Sequence, residues 1–149
     1  MAIRTAEQLL RAGDIGRCEL IRGELRMMIP ASFEHGRITM KLTGPILNHV
    51  GTHGLGAVVA AETGFLLAHD PDTVRAPDIA FVRGERLPEL QRGFFPGAPD
   101  LAAEVLSPDD RTVTVHVPAR RPDVFRETDV LPGGDVLPGF ALPVRDVFV

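Results

Sequence analysis

The sequence predicts an α+β domain, and three observations carry that prediction. Residues 17–21 and 24–29 are two strand-like runs joined by Arg22-Gly23, the spacing of a hairpin. Residues 33–50 set Ile38, Leu42 and Ile46 on one stripe at helical spacing. From residue 57 onward the apolar runs are short and bounded by Gly, Pro and Asp, as strands are. At 149 residues the chain fits a single domain, 1–149, long enough to bury a core. With 44% hydrophobic and 24% charged residues it is neither a disordered chain nor a membrane one. No run approaches the roughly 18 uninterrupted apolar residues of a membrane helix, and the opening MAIRTAEQLLRAG holds no continuous apolar region. The expected location is therefore cytoplasmic.

The elements follow in order. Thr5 and Gln8 have capping-box spacing ahead of a short helix over residues 6–12 that ends at Gly13. In the hairpin, Glu19 and Glu24 are expected to face solvent or pair with arginines, with Glu24 the better placed of the two to point at a site. Cys18, the sole cysteine, alternates with Leu20 and is read as a packing residue; it excludes an intramolecular disulfide and a thiolate metal cluster. Ser32 can cap the helix over 33–50, which Pro45 should kink near Lys41. Glu34 and His35 sit in its first turn, where a carboxylate favoured by the helix dipole and a solvated imidazole are the plainest readings. Residues 51–56, with His53, read as a turn. Residues 57–67 read as a long strand or strand pair interrupted at Gly64, with Glu62 as its one charge. Residues 69–76 read as a polar loop.

Pro77 then delivers Asp78 to the start of the apolar run Ile79-Ala80-Phe81-Val82. Residues 83–99 form a loop in which Phe94-Phe95 serve better as a hydrophobic anchor than as a stacking platform for a base. In the next strand Ala102, Glu104 and Leu106 share one face, and Leu101, Ala103 and Val105 share the other. Residues 112–117 alternate as a half-buried strand, with His116 exposed beside Thr112 and Thr114. Residues 118–129 mix arginines with acids too evenly for a nucleic-acid patch, and two turn-rich stretches precede a short apolar tail.

Asp78 and Glu104 are the anomaly in this pattern. An ionised carboxylate on a core strand costs several kcal/mol unless it is paired or binds a cation. Two carboxylates from adjacent strands, with Glu62 able to face the same cavity, make an oxygen-rich site suited to Mg²⁺ or Mn²⁺. Such an ion activates water and clamps a scissile phosphodiester. The net charge of −4 argues against a surface coated for nucleic acid but leaves room for a local DNA site.

Pro-Asp, an interval, then a hydrophobic strand carrying Glu is the skeleton of the PD-(D/E)XK nucleases. Around it stand CELIRGEL, PASFEHGRI, GLGAVVAAETGFLL, APDIAFVR, GAPDLAAEVLSP and GGDVLPGFALPVRDVF. In that combination the chain resembles the Uma-two family of restriction-endonuclease-like proteins from Cys18 to Val149. The resemblance implies a mixed β-sheet flanked by helices. It also implies metal ligation by Asp78, Glu104 and the carbonyl of Val105, with Glu34, His35 and Glu62 at motif positions near the site.

One departure is large. After EVLSP, family members carry roughly thirty further residues, typical of one helix plus one strand; here Pro108 is separated from Arg111 by two aspartates. The missing piece usually brings the lysine that completes the site. Two residues after Glu104 stands Leu106, and of the 16 basic residues only Lys41 is a lysine. Arg111 stays protonated and cannot act as a base. Two readings result: a weak metal-dependent DNA endonuclease in which Lys41 or metal-bound water covers for the lysine, or a degenerate nuclease fold that acts by binding or self-association. The shortened sheet is expected to leave residues 112–117 as an edge, either pairing antiparallel with residues 101–106 or exchanged in a homodimer.

Overall fold

A computed structural model of the chain describes residues 2–87, 92–107 and 109–149. In chain order its elements are α1 (Ala6–Arg11), β1 (Cys18–Ile21), β2 (Glu24–Met27), α2 (Phe33–His53), β3 (Gly56–Ala60), β4 (Phe65–Ala68) and β5 (Thr73–Arg75). Then come β6 (Ile79–Arg83), β7 (Phe95–Pro96), β8 (Leu101–Ser107), β9 (Thr112–His116), β10 (Asp123–Arg126), β11 (Val130–Pro132) and β12 (Ala141–Pro143). Residues 88–91 of the expected loop, and Pro108 of EVLSP, lie outside the described residues. The contacts divide the chain into two compact units, each assembled from three segments. Among the described residues no helix is long and apolar enough to cross a membrane.

The first unit comprises Met1–Pro30, Ala61–Pro77 and Pro88–Ala98. Its sheet has the order β2-β1-β5-β4-β7 and is mixed, since β4 and β7 run parallel. Arg22 and Gly23 take φ values of 50° and 75°, the left-handed pair that lets a two-residue turn match strand twist. The Thr5–Gln8 capping box forms, and the Asp72 carboxylate accepts the Ala6 N–H at 2.7 Å, so a remote side chain also satisfies the start of α1. That bond, against the opposing effect of burial, holds the Asp72 carboxyl below the usual carboxylate range. Burial, helped by the charge of Glu19, pushes the Cys18 thiol up, which leaves it a poor nucleophile and supports its packing role.

Both hairpin glutamates pair with arginines, as expected, though only one of them stays at the surface. Glu19 is buried, accepting the Ala76 N–H at 2.8 Å and pairing with Arg75 at 2.8 Å, while Glu24 is exposed and pairs with Arg26. Arg75, the partner of Glu19, lies in β5, within the stretch read as a polar loop: three residues of that loop pair with β1 and β4. The aromatic pair is an anchor, as read. The Phe94 ring lies so close over Gly64 that a Cβ there would come within 2.3 Å of it, and Phe95 stacks obliquely on Phe65.

The second unit comprises Ala31–Ala60, Asp78–Leu87 and Pro99–Val149. Its five-stranded sheet, β10-β9-β8-β6-β3, is antiparallel throughout. Ser32 caps α2 by accepting the His35 N–H at 3.1 Å. The helix continues past Pro45 to His53 and ends at Gly54 in left-handed geometry, so His53 belongs to the last turn rather than to a loop. Ile38, Leu42, Ile46 and Val50 pack on Ile79, Phe81, Leu101, Ala103, Val105, Val113 and Val115. The β11-β12 hairpin and the turn at Val144–Val147 close that core.

Residues 57–67 are the second of the two arrangements expected, a strand pair broken ahead of Phe65, with β3 in this unit and β4 in the other. One expectation about strands needs correction. Residues 112–116 pair antiparallel with β8, the first of the two arrangements foreseen, but they are not an edge, because β10 pairs along their other side. The face of the sheet away from the core keeps Leu106 and Val124 more than half exposed.

Candidate active site

The β6–β8 register pairs Ile79 with Ala103, Ala80 with Ala102 and Phe81 with Leu101. Continued by one residue, it sets Asp78 across from Glu104. Side chains alternate along strands, and Ile79, Phe81, Leu101 and Ala103 point into the core. Glu104 therefore points to the opposite face, while Asp78, one residue ahead of β6, stands at the end of the strand pair within reach of α2. Pro77, with no N–H to give a ladder and a fixed φ, is suited to the strand entry just before Asp78.

Asp78 is only 3% exposed, and its two oxygens have different partners. One accepts the Val105 N–H at 3.0 Å; the other lies 3.2 Å from Nε2 of His35. A proton on that nitrogen makes the second contact a hydrogen bond, and a charged imidazole makes it an ion pair. The Ser32 cap holds the first turn of α2, and with it His35, in place. Glu104 is half-buried and pairs in register with Thr114 of β9. Thr114 is 6% exposed, and its hydroxyl oxygen has no hydrogen-bond partner. Glu104 and Thr114 thus sit side by side on one face of the sheet, with Asp78 at the end of the neighbouring strand.

The other candidates are placed differently. Glu34 is exposed and lies 3.9 Å from Arg37 on its own helix. Lys41 is six residues beyond His35 in α2, about 9 Å along the axis and some 120° around it, so it is not on the face that meets Asp78. Glu62 belongs to the first unit, where it has φ 71° and lines a cavity of about 550 Å³ with Leu9, Cys18, Val74 and Phe94. His116 is exposed, as read. Among the described residues no three His, Cys, Asp or Glu side chains gather as a metal cluster. Sequence reasoning missed Thr114 by assigning it to the exposed face with His116; a two-residue turn alone would set Val115 opposite Glu104, and it is the bulge between Val105 and Ser107 that brings Thr114 there.

An antiparallel pair carrying Asp at the entry of one strand and Glu across from it on the next, flanked by a capped helix, gives the second unit the layout of a restriction-endonuclease-like nuclease. The fold agrees with a solved structure, described as a putative nuclease belonging to DUF820 from Anabaena variabilis ATCC 29413, at a TM-score of 0.75 and 19% identity over 97% of each chain. The chain belongs to the Uma2 family, described as "Putative restriction endonuclease", whose model matches residues 5–115. No curated protein matches the chain.

Proposed function

We propose that this chain is a weak, metal-dependent endonuclease acting on DNA phosphodiester bonds. The observation that carries the reading is the buried Asp78 at the entry of β6, next to the register position of Glu104 on β8, in a chain of this family. Asp78, Glu104 and the carbonyl of Val105 are all oxygen donors, the set a hard divalent cation such as Mg²⁺ or Mn²⁺ takes while keeping several waters. When bound, such an ion supplies an activated water and charge neutralisation at the phosphate. The chain's own residues do the positioning: the Val105 N–H fixes one oxygen of Asp78, and His35 fixes the other.

Weak turnover follows from what is missing. The residue two beyond Glu104 is Leu106, 65% exposed. Arg111 does not replace a lysine here, because its guanidinium is held by Glu127 at 2.5 and 2.6 Å and lies over the Phe148 ring. Losing one cation at the phosphate removes about 3 kcal/mol of transition-state stabilisation, roughly a hundredfold in rate. Supercoiled plasmid incubated with Mn²⁺ should be nicked slowly by the native protein and not by Glu104→Ala. Equal nicking by both would sink the assignment.

A second reading, an inactive fold that acts by self-association, is favoured by a separate observation. Along the outer side of α2, opposite the core stripe, Phe33, Met40 and Leu47 are 90%, 66% and 53% exposed. They alternate with Gly36, Gly44 and Gly51, whose Cβ positions meet nothing within 4 Å. Each such glycine costs an exposed helix about 1 kcal/mol relative to alanine. Two antiparallel copies of α2 would seat Phe33 over Gly51 and Met40 over Gly44, so this stripe replaces β9 as the contact of the expected homodimer. Sedimentation should give a dimer at micromolar concentration and a monomer for Met40→Lys; a native monomer would rule the contact out.

A further inference from the structure

The hydroxyl of Thr114 has no role in the reading above, and its setting is unusual. Thr114 is 6% exposed, and its hydroxyl oxygen is buried without any hydrogen-bond partner. Buried polar groups almost always find partners, so one without a partner calls for an explanation. Valine is nearly the same shape and suits a strand equally well, so packing and strand propensity do not by themselves call for the hydroxyl.

Its position supplies the explanation. Thr114 is the register partner of Glu104, and side chains directly opposite on one sheet face have Cβ atoms about 5 Å apart. On the other side of Glu104, one residue ahead of β6, is Asp78. A threonine hydroxyl both donates and accepts, whereas two carboxylates can only accept. A cation on the carboxylates brings waters of its own into the space beside them, and a water on a cation is a strong donor that needs a fixed acceptor. The geometry points to Thr114 as a positioning residue of the Asp78–Glu104 site, its hydroxyl accepting a hydrogen bond from a water carried in on the divalent cation. This rests on the metal-site reading above. It also makes β9 a contributor of a polar group beside Glu104.

Calorimetric titration of Mn²⁺, with thermal melting of the same samples, tests it without any need for turnover. Thr114→Val should melt a few degrees higher without metal, since a buried unsatisfied group is gone. It should bind Mn²⁺ about tenfold more weakly, whereas Thr114→Ser should stay within twofold of the native protein. Should Thr114→Val fail to fold, Thr114→Ala compared with Thr114→Ser decides the same question, with the loss expected only in the alanine variant. A hydroxyl-free variant that binds Mn²⁺ within twofold of native overturns the inference while leaving the carboxylate site standing. A native protein that takes up no Mn²⁺ overturns both.

Discussion

Gly56→Ala should destabilise the second unit by about 3–5 kcal/mol, and Gly54→Ala, two residues earlier, by only about 1–2 kcal/mol. Both glycines have positive φ, 60° at Gly54 and 153° at Gly56. The difference lies in the surroundings. A Cβ at Gly54 meets nothing within 4 Å, so alanine there carries only the strain of left-handed geometry at the end of α2. A Cβ at Gly56 would stand 2.1 Å from the Val82 carbonyl oxygen and 2.8 Å from the Gly84 nitrogen. Those are backbone atoms on either side of Arg83, the residue Gly56 pairs with at the end of β6, and they cannot move aside without disturbing the β3–β6 ladder. At about 2–4 °C per kcal/mol for a chain of this size, Gly56→Ala should lower Tm by about 10 °C and Gly54→Ala by a few degrees. Equal losses in a melting experiment would mean that the close approach at Gly56 is not real.

Asp78→Asn should separate stability from function. The amide keeps an acceptor for the Val105 N–H, now met by carboxylate at 3.0 Å, and removes a negative charge that is 3% exposed beside a second carboxylate. Without metal, the variant should therefore melt within a degree or two of native. With Mn²⁺ at about a hundred times its dissociation constant, native protein should gain about 2.7 kcal/mol, or 5–10 °C, and Asp78→Asn nothing. Asp78→Ala is the harsher change, since it strips the acceptor from Val105 and leaves His35 without its carboxylate; a metal-free loss of about 1–3 kcal/mol is expected. A residue whose change abolishes ligand binding at little cost to the fold is the signature of a site kept for function.

How far the sequence could be read depended on whether the signal was local. The stripe Ile38, Leu42, Ile46 and the Ser32 cap lie within one helix and were legible, as was the alternation that separates Glu104 from Ala103 and Val105. The missed end of α2 reflects a local ambiguity: Gly51 and Gly54 both read as helix stops, and the left-handed cap is at Gly54. What depended on partners far along the chain was not legible. β5 is three residues of polar sequence whose strand character comes from pairing with β1 and β4. Glu19 looks like a surface residue until Arg75 and the Ala76 N–H are brought to it. Nothing in the run of residues 57–67 says that its two halves join different sheets. At the site, Asp78 and Glu104 were found because a carboxylate beside an apolar run is costly. Thr114 was overlooked because a threonine in a strand is ordinary until its hydroxyl proves buried and unpartnered.

The most direct test of the central claim is the calorimetric titration of Mn²⁺ into native protein and into Asp78→Asn. The account predicts saturable binding of about one ion per chain in the native protein and none in the variant. Heat of the same size in both, or none in the native protein, would contradict it.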